Sequence, residues 1–130
     1  MPMLTSEQLI QEAKKAREKA YAPYSKFRVG AALLARDGSV YTGCNVENAS
    51  FGATCCAERV AIYKAVSDGR RDFAAIAVVS DSQGSTFPCG ICRQVMTEFR
   101  IPVVIVVDEV GRIAEYRLND LLPYAFDKIE

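Results

Sequence analysis

The chain has 130 residues, of which 50% are hydrophobic, and its 16 basic residues balance 16 acidic ones. This size predicts one globular domain over residues 1–130. The balanced charge argues against a nucleic-acid partner, because proteins that bind nucleic acid usually carry an excess of basic residues that contact the phosphates. Because no apolar run is long enough for a membrane span or an export signal, we expect no membrane partner and a cytoplasmic location.

An amphipathic helix is predicted from residue 5 to about residue 21. Apolar residues recur there at helical spacing, opposite a charged face. Thr5 and Gln8 have the types and spacing of a capping box, and Pro23 favours a stop just after the helix. We therefore expect the chain to begin with a helix that packs one face on the core.

Two strands are predicted next, at residues 27–35 and 39–46, joined by an Asp-Gly pair that favours a tight hairpin turn. The first is apolar on both faces, as expected for a covered strand. In the second, side chains alternate between faces, so Asn45 and Glu47 should share one. Taken alone, an amide and a carboxylate at such positions are more often turn or surface residues than ligand contacts.

The remainder alternates between apolar helices and strands, which predicts an α/β fold: a three-layer α/β/α sandwich with a mixed five-stranded sheet. The helix beginning at Cys56 is apolar almost all round and should be buried. In chain order we predict helix 56–68, strand 73–80, helix 89–99, strands 103–107 and 112–117, and a short helix at 118–122.

Five cysteines and no histidine mean that a zinc site would depend on thiolates or carboxylates. Cys89 and Cys92 have a metal-ligand spacing at the start of a predicted helix. A catalytic zinc site keeps one position for water and so needs one further protein ligand, for which Cys56 is the best candidate. Spacing alone leaves Cys55 as an alternative, and Cys44 is the donor that would close a purely structural site.

Charged residues accompany these cysteines. Glu58 lies in an otherwise apolar helix, where an ionised carboxylate is costly without a partner or a function. Next to a metal and its water, Glu58 would move protons between that water and a substrate. Arg59 lies three residues after Cys56, and Arg93 lies four after Cys89, so either guanidinium could donate hydrogen bonds to the sulfurs.

Two motifs closely resemble those of the cytidine deaminases, namely Cys56-Ala57-Glu58-Arg59 and Pro88-Cys89-Gly90-Ile91-Cys92-Arg93-Gln94. Three further segments extend the resemblance over essentially the whole chain: Tyr21-Ala22-Pro23-Tyr24-Ser25, Asn45-Val46-Glu47-Asn48-Ala49 and Leu121-Leu122-Pro123. The resemblance implies zinc-dependent hydrolytic deamination of cytidine and 2′-deoxycytidine to uridine and 2′-deoxyuridine, with release of ammonia, in pyrimidine salvage.

The resemblance also implies a role for individual residues. Cys56, Cys89 and Cys92 would hold Zn²⁺, Glu58 would shuttle protons, and Arg59 would temper the thiolate charge. Substrate contacts are implied for six residues: Phe27 against the base or sugar, Asn45 and Glu47 on the ribose, Ala57 through its backbone, and Phe51 and Phe126 from neighbouring subunits.

The last two assignments follow from the assembly. The chain resembles the short, three-cysteine members of the family, and this resemblance implies a homotetramer whose active sites are shared between subunits. This chain departs from the usual pattern at two positions. Phe51 stands where a Tyr is common, and Tyr124 replaces a residue that is usually small. These departures concern the subunit boundary and leave the cysteine and glutamate motifs unchanged.

Parts of the sequence are also compatible with functions other than deamination of nucleosides. Cys89 and Cys92 alone could form a redox pair at a helix start. A blasticidin S deaminase would share the cysteine and glutamate motifs, although Asn45 and Glu47 favour a ribose. A zinc module that binds protein or RNA without catalysis would need a fourth ligand. Deamination within a polynucleotide is disfavoured by the balanced charge.

Overall fold

A computed structural model describes residues 3–127; the ends of the predicted domain, residues 1–2 and 128–130, lie outside it. The first helix, α1 (Ser6–Arg17), begins at the predicted capping box. Gln8 N donates to Thr5 Oγ1 at 3.1 Å, and Thr5 N donates to Gln8 Oε1 at 2.9 Å. The helix ends earlier than predicted, because Tyr21 turns away to form a bridge with Val46.

The sheet is mixed and five-stranded, as predicted. The strands are β1 (Val29–Ala35), β2 (Val40–Cys44), β3 (Phe73–Ser80), β4 (Val103–Val107) and β5 (Ile113–Arg117). They lie in the order β2-β1-β3-β4-β5; β3 and β4 are parallel, and every other neighbouring pair is antiparallel. The second strand ends before Asn45, two residues earlier than expected.

Three α-helices follow α1 in the described part of the chain: α2 (Ala57–Ser67), α3 (Gly90–Glu98) and the short α4 (Leu118–Leu121). The first two were predicted to begin at Cys56 and Cys89, but each cysteine is the extended residue that precedes its helix. Neither side chain caps its helix, so both thiols are available for other contacts. Within residues 3–127, no helix combines the length and hydrophobicity needed to cross a membrane.

Helices cover both faces of the sheet, which confirms the α/β/α layers. Side chains alternate along β1, so that Leu33 packs towards α2 and α3 while Leu34 packs towards α1. This alternation explains why β1 is apolar on both faces. The predicted full burial of α2 is wrong, since Tyr63 is 48% exposed; α2 buries one side against the sheet and presents the other outwards.

A close approach between α2 and β2 depends on Gly43. A Cβ at this position would lie 2.4 Å from the carbonyl oxygen of Ala57 and 2.6 Å from the backbone N of Ala61. Only glycine leaves room for the helix backbone at this distance. The first turn of α2 is therefore seated directly on the sheet, and this contact positions the residues at its start.

Candidate active site

Three thiols meet where α2 and α3 begin. The sulfurs of Cys56, Cys89 and Cys92 all lie within 4.8 Å of one another, and those of Cys56 and Cys89 are 3.8 Å apart. Two sulfurs bound tetrahedrally to one zinc ion at about 2.3 Å lie about 3.8 Å apart. The spacing of the thiols therefore fits a single zinc ion held by all three.

The structure separates the remaining cysteines from this cluster. Cys55 exchanges two backbone hydrogen bonds of 2.9 Å with Val46, which forms a short bridge just before α2. Among residues 3–127, neither Cys44 nor Cys55 belongs to the group of close metal-binding side chains. The choice between Cys55 and Cys56, which spacing left open, thus favours Cys56, and no fourth cysteine closes the site within the described residues.

The two arginines differ in their contacts. Arg59 Nη2 donates to Cys56 Sγ at 3.4 Å. Arg93 instead donates to the backbone carbonyl oxygens of Pro88 and Leu121, each at 2.8 Å, and so ties α3 to its flanking segments. Arg59 is therefore the cation that faces the thiols, whereas the contacts of Arg93 are structural.

The thiols of the cluster influence one another. The hydrogen bond from Cys92, together with the hydrogen bond and charge of Arg59, lowers the pKa of Cys56 to about 5. The contact with the Cys56 thiolate and burial raise the pKa of Cys92. Both helix N-termini also favour negative charge through their unpaired N–H groups. The cluster is suited to hold thiolate, the form that binds metal.

Glu58 lies in the first turn of α2, two residues after Cys56. Its side chain is only 4% exposed, and this burial raises the pKa of the carboxyl to about 7. A carboxyl with this pKa can both accept and donate a proton near neutral pH. Ala57, the preceding residue, is fully buried, and its N–H is one of the amides that a helix start leaves unpaired.

Asn45 and Glu47 hold the segment before β1, a role that spacing did not predict. Asn45 Oδ1 accepts from the N–H of Val29 and Asn45 Nδ2 donates to the carbonyl of Phe27, both at 2.8 Å. Glu47 Oε1 accepts from two successive backbone N–H groups at positions 24 and 25, at 3.0 and 3.1 Å. Both residues lie after the end of β2, but their side chains still reach the same segment, residues 24–29.

A cavity of about 390 Å³ opens next to Glu47. The residues that line it are Tyr24, Ser25, Glu47, Asn48, Phe51 and Thr54. Three aromatic side chains that were assigned to substrate contacts remain uncovered in the single chain: Phe27 is 40% exposed, Phe51 84% and Phe126 67%. Phe126 is linked to α3 because its carbonyl oxygen accepts from Gln94 Nε2 at 2.9 Å.

Comparison with known proteins identifies close relatives. Residues 3–108 match the family model described as the cytidine and deoxycytidylate deaminase zinc-binding region. A cytidine deaminase from Sporosarcina psychrophila is 57% identical over 94% of this chain and 91% of its own length. The crystal structure of a cytidine deaminase from Burkholderia pseudomallei superimposes with a TM-score of 0.89 at 53% identity, covering 95% of this chain and all of that one. A blasticidin-S deaminase from Bacillus cereus is 28% identical over 95% of each chain.

Proposed function

This chain belongs to the cytidine deaminase family, and we propose that it hydrolyses cytidine and 2′-deoxycytidine to uridine and 2′-deoxyuridine, with release of ammonia. The observation that carries this proposal is the cluster of three thiols at the start of the helix whose first turn carries the buried carboxyl of Glu58. The enzyme is a zinc-dependent hydrolase, since the matched family model is a zinc-binding region and the thiols have the spacing of zinc ligands.

Cys56, Cys89 and Cys92 would hold the zinc ion as thiolates. When bound, zinc supplies Lewis acidity that makes water a nucleophile near neutral pH. Three thiolates exceed the charge of the ion by one negative unit, which opposes this effect. Arg59 offsets the excess, because its guanidinium stays protonated and donates directly to Cys56 Sγ.

Glu58 would move the protons of the reaction. It takes a proton from the attacking water and delivers it to the ring nitrogen next to the carbon that bears the amine. It then transfers the remaining proton of that water, now on the new hydroxyl group, to the amine, so that a carbon–oxygen double bond forms as the carbon–nitrogen bond breaks and ammonia departs. Burial of Glu58 supports this role, because a water-poor site makes the carboxyl ready to carry a proton at neutral pH.

Four residues would orient the nucleoside. Glu47 and Asn45 would bind the ribose, Phe27 would lie against the ring or sugar, and the backbone of Ala57 would contact the base. Of these, Glu47 lines the open cavity, which supports its contact with a ligand. The second N–H of the Asn45 amide also remains after its contact with Phe27 is counted.

A homotetramer would complete the site. Phe51 and Phe126 are more than half exposed in the single chain, as expected for aromatic residues that contact a neighbouring subunit. The proposed location is the cytoplasm, where the five unpaired cysteines would stay reduced. Sedimentation of the zinc-loaded protein tests the assembly; a monomer with full activity would contradict shared sites.

The test of function is the fall in ultraviolet absorbance when cytidine is converted, measured together with bound zinc. Activity should disappear after chelation and return with added zinc. Blasticidin S and a cytidine-containing oligonucleotide are run in parallel. Turnover of blasticidin S without turnover of cytidine would show that the antibiotic is the substrate. Bound zinc without turnover of any of these compounds would instead favour a binding protein without catalytic activity.

A further inference from the structure

The hydroxyl of Ser25 connects two residues that are proposed to contact the substrate. Ser25 Oγ donates to Glu47 Oε2 and accepts from the N–H of Phe27 at 3.0 Å. From these contacts we propose that Ser25 is a positioning residue, which holds Glu47 and Phe27 in the arrangement that receives the sugar of the nucleoside. This role rests on the proposed function, because it requires Glu47 to be a sugar ligand.

Three hydrogen bonds within the described residues limit the acceptor positions that Glu47 can offer to a ligand. Each carboxylate oxygen offers two lone pairs. Those of Oε1 are taken by the backbone N–H groups of Tyr24 and Ser25, and one of Oε2 is taken by the Ser25 hydroxyl. Contacts among the described residues therefore leave a single acceptor position on Oε2, and Ser25 sets its direction. The same contacts lower the pKa of Glu47, the hydroxyl of Ser25 most strongly, so this acceptor stays ionised at neutral pH.

The loop that carries Ser25 depends on such contacts for its shape. Lys26 has a φ of 60°, in the left-handed region that non-glycine residues adopt infrequently. Lys26 lies between Ser25 and Phe27, and its backbone conformation turns the chain at this point. The N–H of Phe27 then donates back to the hydroxyl of Ser25. Asn45 fixes the far side of the loop through Phe27 and Val29. Ser25 holds the other side of the loop, through its hydrogen bonds with Glu47 and with the N–H of Phe27.

The test compares Ser25→Ala with Ser25→Thr, which keeps the hydroxyl. Ser25 is exposed, so neither change should prevent folding. For Ser25→Ala we expect kcat/KM for cytidine to fall about tenfold, the change that follows loss of a hydrogen bond to a charged group. Turnover of 2′,3′-dideoxycytidine should change much less, because this nucleoside lacks the ring hydroxyls that Glu47 would accept from. Ser25→Thr should recover most of the loss.

Ser67→Ala is the matched control, because its hydroxyl is exposed and donates only to the backbone carbonyl of Lys64. Bound zinc, melting temperature and uridine affinity are measured for every variant. Unchanged activity of Ser25→Ala on cytidine, or an equal loss on both nucleosides, would overturn the positioning role. A wild-type protein that binds uridine without deaminating cytidine would contradict the proposed reaction alone, and weaker uridine binding by Ser25→Ala would still support the role of Ser25.

Discussion

Arg59 donates a hydrogen bond from Nη2 to the sulfur of Cys56 across 3.4 Å. Arg59 lies three positions after Cys56, so the first helical turn brings the two side chains to the same side. The guanidinium thereby faces the excess negative charge that three thiolates bring to a divalent ion.

Replacing Arg59 by Gln should lower kcat by roughly ten- to a hundredfold, because a hydrogen bond to a charged group is worth about 1.5–3 kcal/mol. Zinc content should remain near that of the wild type, since the three thiols are unchanged. The measurement is kcat per bound zinc. Arg71→Gln serves as the control, because within residues 3–127 Arg71 donates to backbone carbonyl oxygens alone, those of Val66 near the end of α2 and of Arg70 just after it. Equal kcat values for Arg59→Gln and the wild type would remove Arg59 from the mechanism.

Replacing Glu58 by Gln should retain zinc but lower kcat by about 10²–10⁴-fold, the range that general acid and base catalysis contributes. The amide has nearly the same shape as the carboxyl but cannot carry the proton. Steady-state turnover and zinc content are measured on the same sample. Near-normal turnover by this variant would rule out Glu58 as the proton shuttle.

Single Cys→Ser variants should divide the five cysteines into two groups. Cys56, Cys89 and Cys92 variants should each lose most of their zinc, because their sulfurs form the cluster. Cys44 and Cys55 variants should keep about one ion per chain, as measured by atomic absorption after gel filtration. Loss of zinc from Cys44→Ser would instead indicate a closed site with four cysteines and no position for water.

Chelation should lower the melting temperature of the wild type, because an ion that binds the native state stabilises that state by mass action. The Cys92→Ser variant should show little further change when the chelator is added. The comparison uses thermal unfolding with and without chelator, and added zinc should restore the wild-type value. An equal response of the two proteins would show that the stabilising ion binds elsewhere.

Gly43→Ala should lower the free energy of unfolding by about 1–3 kcal/mol, as overpacking does in a core. The added Cβ would meet the backbone of Ala57 at 2.4 Å, so α2 would have to shift away from β2. Chemical unfolding measures the change. Gly84→Ala is the control, since a Cβ there meets no atom within 4 Å. Equal stability of the two variants would mean that α2 relaxes without cost.

Much of the fold follows from local patterns. Helical spacing, alternation and short continuous apolar runs predicted the main helices and strands, and β3 and β4 have the predicted bounds. Element ends were less well predicted, as at Cys56 and Cys89, where the first helical residue follows the cysteine. The end of β2 was also misplaced, because the bridges that Val46 makes with Tyr21 and Cys55 replace the regular strand pairing.

The sequence by itself determined the chemistry of this protein: residue types and spacings around Cys56, Glu58 and Cys89 predict a thiolate metal site beside a proton-carrying carboxyl, and the resemblance of these motifs to a known family implies a zinc-dependent deaminase. Tertiary structure decided which of two adjacent cysteines joins the cluster, which arginine faces it, and that Asn45 and Glu47 grip the loop before β1. The physical reason is the separation along the chain between the residues that form each contact. Spacing along the chain reports neighbours within a turn or a strand, whereas sulfurs 33 residues apart meet only after two helices have packed on the same sheet.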